Sequence, residues 1–206
     1  MTDTAAELAG IKTRLQLLED REAIRQLIYY KGRATDRADP AAEQRAFGGR
    51  TPYADRQGPD DLMGSADQRA DLIRRMLAST HHQIGNILID VDGDTARTET
   101  YCTAFHRTHP NADSNRFIVG DLAVQQLGGD YERAYDVITG IRYLETFQRT
   151  DGKWRVETRR LVYDWSTVGI PCGLIEGGVI ANSELRGARK PDDPSYRDYA
   201  IGACDL

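Results

Sequence analysis

Apolar positions in the first forty residues recur at helical spacing. Leu8, Ile11, Leu15 and Leu18 follow one another at intervals of three and four, and are followed by Ile24, Leu27 and Ile28. Side chains at that period stack on one face, so the pattern predicts one long helix with a single apolar stripe. Glu19, Asp20, Arg21, Glu22 and Arg25 fall largely off the stripe, on a solvated face. The stripe's first half suits a partner helix, or an N-terminal helix folded on its own core, which is the commoner arrangement. Asp39-Pro40 breaks the period, because the residue before proline is pushed out of the helical region.

A short amphipathic piece follows over 41–47, then a glycine- and proline-containing loop over 48–64. Ser65-Ala66-Asp67-Gln68 matches a capping box, and Leu72, Ile73, Met76 and Leu77 give the helix behind it a buried face ending near Ser79. From Thr80 the period falls to two. Strands are expected over 82–91, 96–107, 134–148 and 154–165, with turns at Asp92-Gly93-Asp94 and Asp151-Gly152. Phe117, Ile118, Val119, Leu122, Val124 and Leu127 complete either a sheet edge or a covering loop. Helices followed by antiparallel strands predict an α+β domain, its helices on one face of a curved sheet that encloses a pocket. Residues 1–166 form that domain. Residues 167–206, rich in glycine, proline and charge, form an extension that is a lid, a subunit strap or a partly disordered terminus.

Composition changes the picture only by exclusion. The 206 residues carry a formal net charge of −5, which argues against a nucleic-acid or anionic-membrane surface. No apolar run approaches the roughly 18 residues of a bilayer span. The acidic start Met1-Thr2-Asp3-Thr4 is unlike a signal peptide, and Cys102, Cys172 and Cys204 are odd in number with no CxxC, so the expected location is the cytoplasm.

Candidate chemistry centres on Thr80-His81-His82-Gln83-Ile84-Gly85-Asn86. Neighbours on a strand point to opposite faces, so only one of His81 and His82 can enter a pocket. Imidazole titrates near neutrality, which suits it to moving protons. His106 shares a strand face with Cys102 and Ala104, and His109 is expected at the surface. Glycine pairs at 48–49 and 177–178 lack the spacing of a phosphate loop, so no nucleotide cofactor is expected.

Several segments together carry a resemblance. They are Leu18-Glu19-Asp20-Arg21-Glu22-Ala23-Ile24-Arg25-Gln26-Leu27, Thr35-Asp36-Arg37-Ala38-Asp39, the Thr80–Asn86 run, Asp151-Gly152-Lys153-Trp154-Arg155, and Arg159-Arg160-Leu161-Val162-Tyr163-Asp164-Trp165. The chain resembles the SnoaL-like branch of the nuclear transport factor 2 (NTF2-like) superfamily over about residues 12 to 166, a branch similar to scytalone dehydratase and bile acid 7α-dehydratase. The resemblance implies a cone-shaped α+β barrel. It places an aspartate at Asp36, a facing histidine at His82, a second pocket histidine at His106, and Tyr143 where scytalone dehydratase has an asparagine. Two departures stand out: Lys31 replaces a tyrosine five residues before the aspartate, and 48–64 replaces a short acidic segment.

The implied chemistry is that of a cofactor-independent, dehydratase-type lyase acting on a small apolar hydroxylated ring or aromatic compound. A carboxylate on one imidazole nitrogen fixes the tautomer and raises the basicity of the other. Asp36–His82 would remove a proton while His106 or Lys31 assists the departing or developing oxygen; Tyr30, Tyr53 and Tyr143 are candidates to hold the substrate. Asp36, His82 and His106 also form a two-histidine, one-carboxylate set, but without HxD/E or HExxH no metal is expected. A formaldehyde-releasing retro-aldol cleavage of a phenolic diol and an isomerisation use the same groups. The rival of another class is a non-catalytic subunit such as the small subunit of a ring-hydroxylating dioxygenase. A homo-oligomer, dimer or trimer, is implied.

Overall fold

The computed structural model describes residues 3–47, 64–171, 181–182 and 185–197. Helix α1 runs from Asp3 to Asp36. It stops where Ala38 takes a positive φ of 45° and Asp39 N–H closes onto the Ala34 carbonyl at 2.9 Å. Asp39 then starts α2 (Pro40–Phe47), its Oδ1 accepting from Ala42 N–H at 3.1 Å, with proline at the first helical position where its missing donor is harmless. Helix α3 (Ala66–Met76) begins with the expected capping box, both bonds formed between Ser65 and Gln68. It ends earlier than its apolar pattern suggests, because Leu77 is already extended (φ −128°, ψ 120°) and opens β1.

Strands β1 (Leu77–Asp92), β2 (Thr95–Thr108), β3 (Asp136–Thr150) and β4 (Lys153–Gly169) pair antiparallel in that order. The predicted cone is present as a strongly curved, open four-stranded sheet rather than a closed barrel. Between β2 and β3 the chain forms two short helices, α4 (Ala112–Ile118) and α5 (Asp121–Gln126), instead of a sheet edge. Asn111 explains the first: its side chain caps Ser114 N–H at 2.9 Å. At the β3–β4 turn, Asp151 and Gly152 both have positive φ (53° and 74°), as a tight two-residue hairpin turn requires.

The main core joins α1 and α2 to the sheet through Ile24, Leu27, Ile28, Ala46, Phe47, Ala96, Phe147, Trp154 and Val156. Here the single-stripe expectation fails. Leu8, Ile11, Leu15 and Leu18 are exposed, and burial on α1 begins at Asp20. At about 100° per residue, the Asp20, Ile24, Leu27, Lys31 face lies roughly half a turn from the Leu8–Leu18 face. The helix carries two stripes, and only the second meets its own core.

Single-residue bulges then decide which side chains enter the cone. Ile84 pairs with Cys102 and Ile87 with Thr100, so β1 carries one residue more than β2 at Gly85-Asn86. That extra residue shifts the alternation and puts His82 and Ile84 on the same side as Ile87, Ile89 and Val91. On β4, Val156 pairs with Phe147 but Thr158 with Thr146, leaving Glu157 extra and turning Arg159 inward. Residues 185–197, including the single turn α6 (Pro194–Arg197), lie across the end of α1. Lys190 N–H donates to the Arg37 carbonyl at 2.9 Å, and Lys190 Nζ and the Tyr196 hydroxyl both reach Asp39. Among the described residues no helix is long and apolar enough to cross a membrane.

Candidate active site

The end of α1 and the start of β1 bring Asp36 and His82 together. Asp36 Oδ1 accepts from His82 Nδ1 at 2.7 Å, and Asp36 Oδ2 accepts from the His82 backbone N–H at 2.9 Å. The Thr80 hydroxyl, two residues earlier on the same strand face, donates to Oδ1 at 3.0 Å. Both side chains of the pair are only 8% exposed. Burial pulls the Asp36 carboxyl upward, but the His82 and Thr80 hydrogen bonds outweigh it and hold the group below its ordinary value. An ionised carboxylate can only accept, so Nδ1 carries the proton and Nε2 is left with a lone pair. His81 is exposed on the opposite face.

One contributor was not legible in the sequence. Arg189, from the C-terminal segment, donates from Nη1 to Thr80 Oγ1 at 2.8 Å and to the Asp36 carbonyl at 2.5 Å, and from Nη2 to the Leu77 carbonyl at 3.2 Å. It fixes the threonine that in turn holds the carboxylate. No local motif marks Arg189; only the path of the tail brings it there.

His106 stands beside His82, ring centroids 5.4 Å apart and nearly perpendicular. Burial, and then the neighbouring His82, push its pKa down to about 4, so at neutral pH it is an uncharged imidazole with one N–H to donate. Lys31 is buried, ion-paired to Glu145, and flanked by the rings of Phe147 and Phe47, 5.5 and 5.8 Å from their centroids. Arg159 Nε donates to the same Glu145 Oε1 at 2.8 Å. One carboxylate thus faces two cations. Glu145 is held ionised by Lys31 and Arg159 against the upward pull of burial. Lys31 is lowered to about 7, chiefly by burial and then by the Arg159 charge.

Lys31, His82, Tyr143 and Arg159 line one small cavity with Ile28, Gly32, Thr35 and Ile84. Its volume, about 10 Å³, is room for about one water. An open depression of about 320 Å³ shares His82 and Ile84 with it and is otherwise lined by Tyr29, Arg33, Asp36, Arg37 and His81. Tyr143 packs under the Arg159 guanidinium, 4.5 Å from its ring centroid. Beside it the Cys102 thiol is pushed up to about 11 by burial, so it stays protonated and is no nucleophile at neutral pH.

The structure therefore gathers Asp36, His82, His106, Lys31 and Tyr143. It does not bring Tyr30 to either space: that hydroxyl accepts from Arg45 at 2.8 Å, and the ring packs with Ala34 and Ala42. Tyr53 lies outside the described residues. His109 is partly exposed, its Nε2 2.9 Å from the Arg74 carbonyl. Among the described residues no group of three histidine, cysteine or acidic side chains is arranged to hold a metal ion.

Comparison with known proteins agrees with this architecture. Among solved structures, a scytalone dehydratase-like protein of Novosphingobium aromaticivorans aligns with a TM-score of 0.53 at 21% identity, over 78% of this chain and 97% of that one. A type 2 hexachlorocyclohexane dehydrochlorinase (LinA) aligns at 0.55 and 16% identity, over 78% and 99%. The LinA-type3 dehydrochlorinase of Novosphingobium barchaimii gives 0.53 and 12%, over 75% and 93%. These likenesses are of fold. No curated protein matches the chain by sequence. The family model of the SnoaL-like domain matches residues 16–160, and the chain belongs to that family.

Proposed function

We propose that the protein is a cofactor-independent lyase that eliminates water from a small, largely apolar hydroxylated ring compound. One observation carries this reading: a buried carboxylate fixed on Nδ1 of an imidazole that lines both the interior cavity and the open depression. Such a pair leaves Nε2 as a positioned base, worth about 10²–10⁴-fold in rate. Lys31 and Arg159 line the interior cavity and not the depression, so this reading needs that cavity, about one water in size, to widen around the ring, with the depression of about 320 Å³ as its approach.

His82 Nε2 takes a proton from the carbon next to the one bearing the hydroxyl. The electron pair of that C–H bond forms the new double bond, and the C–O bond breaks. The leaving oxygen collects a proton from the Lys31 ammonium and departs as water; solvent then restores Lys31, and the imidazolium returns its proton. Arg159 and the neutral His106 N–H stabilise negative charge developing on the substrate. Asp36 stays ionised and stabilises the imidazolium. Arg189 and Thr80 act through Asp36 by fixing its angle. The fold neighbours include enzymes described as dehydratase-like and as dehydrochlorinases, both eliminations, which supports this class of chemistry.

The test is a panel of hydroxylated cyclic ketones and phenolic alcohols, followed by ultraviolet absorbance as a conjugated product forms. Wild type is expected to turn over at least one member. His82→Gln should lose about 10²-fold or more with an unchanged circular dichroism spectrum. Equal rates in the two proteins would remove His82 from the chemistry.

A further inference from the structure

The N-terminal half of α1 presents an apolar seam that its own domain does not use. Leu8, Ile11, Leu15 and Leu18 are 52%, 59%, 53% and 62% exposed, on the face turned away from the core. Isolated apolar residues at a surface need no explanation; four in register along one helix do. Their spacing of three, four and three is that of a coiled coil with Leu8 and Leu15 at the first apolar position of each heptad and Ile11 and Leu18 at the second.

The residues flanking this seam say what would cover it. In that register Glu7 and Arg14 occupy the positions before each heptad's first apolar residue, and Lys12 and Glu19 those after its second. Between parallel helices, flanking residues five apart in sequence meet across the seam. Glu7 would then face Lys12 of a second copy, and Arg14 would face Glu19. Both pairs are opposite in sign, and both form twice in a symmetric pair. All four side chains are exposed in the single chain.

The length of the seam fits the same arrangement. Two heptads alone would be marginal in water, because helix nucleation is costly. Here the helix is already nucleated by its buried half from Asp20 onward, so association needs only to cover the seam. The heptad pattern ends at Glu22 and Arg25, where α1 turns its other face to the sheet.

We propose that residues 4–21 form a parallel coiled coil with the same segment of a second copy of this chain, holding two or more cones together by their first helices. The partner is the chain itself, selected by the Glu7–Lys12 and Arg14–Glu19 pairs.

Sedimentation of the full-length protein at micromolar concentration tests this with three variants. Wild type is expected to sediment as at least two chains and Leu15→Glu as one, with an unchanged dichroism spectrum. Lys12→Glu should raise the dissociation constant at least several-fold, and the double variant Glu7→Lys/Lys12→Glu should restore most of that loss. A monomeric wild type, an assembly indifferent to Leu15→Glu, or a double variant no better than Lys12→Glu would overturn the proposal.

Discussion

At the scale of single residues, the candidate site is a set of groups whose surroundings assign them different charges. Asp36 is held ionised by the hydrogen bonds it accepts, His106 is held neutral by burial, and Lys31 is poised near neutrality by burial and then by the Arg159 charge beside it. Lys31 gives the site a pH dependence with a definite sign. Its ammonium, the form able to protonate a leaving oxygen, is lost as pH rises through about 7. Activity carried by that proton falls on the alkaline side, and Lys31→Met should lower kcat/KM at neutral pH and abolish that limb. A variant that keeps both the rate and the limb would exclude Lys31 as the acid. The sequence made Asp36 and His82 visible because each sits in a segment that carries the resemblance, and Lys31 because it departs from that pattern. Arg159 was hidden because counting by twos from Trp154 and Val156 leads to Thr158 and Arg160, one residue out of step with the inward side chains beyond Glu157.

At the scale of elements, the bulges assemble the site. Most strands lie close to where alternation puts them, and the Ser65 cap and the Asp151-Gly152 turn are as the sequence predicts. What alternation cannot show is a change of phase within a strand. Without the extra residue at Gly85-Asn86, a strand that turned His82 inward would also turn Leu88 inward, yet Leu88 is 60% exposed while Ile87 and Ile89 pack on the core. Deleting Asn86 should therefore force a choice between the half of β1 that turns His82 inward and the half that packs Ile87 and Ile89 on the core. The expected result is a lower melting temperature together with loss of turnover. A deletion variant that melts and turns over like wild type would show that the bulge does not set the phase. The long helix taught a related lesson. The apolar series steps by six from Leu18 to Ile24 across Glu19-Asp20-Arg21-Glu22, and at about 100° per residue that step carries the buried face to the other side of the helix.

At the scale of the whole molecule, two regions distant in sequence close over the end of α1. The C-terminal segment brings Arg189 to Thr80 and Lys190 to Asp39, and Asp193, held by Ser195, Arg37 and the Ala188 N–H, shapes that segment. Asp36, Asp39, Glu145 and Asp193 share one electrostatic character. Burial pulls each carboxyl upward, and the donors and cations around it outweigh burial, so all four are lowered. For a carboxylate lowered on folding, the stability it contributes is present above its unfolded value and is lost as pH falls through its folded value. Stability in urea should therefore drop as pH falls below the ordinary carboxylate range. Glu145→Gln removes the carboxylate that Lys31 and Arg159 share, and should cost about 3–5 kcal/mol at neutral pH while removing part of the acid dependence. A stability that stayed flat with acidification would contradict this charge assignment.

The central claim is that Asp36 makes His82 a base. The most direct measurement is kcat/KM for elimination of a hydroxylated ring substrate by wild type and by Asp36→Asn, with folding verified by circular dichroism. The amide keeps the shape of the side chain but not its charge, so it cannot hold Nδ1–H and stabilise the imidazolium in the same way. The account predicts a fall of about 10²–10⁴-fold. A folded Asp36→Asn protein with the wild-type rate, or a wild-type protein that binds such compounds and never converts them, would contradict it.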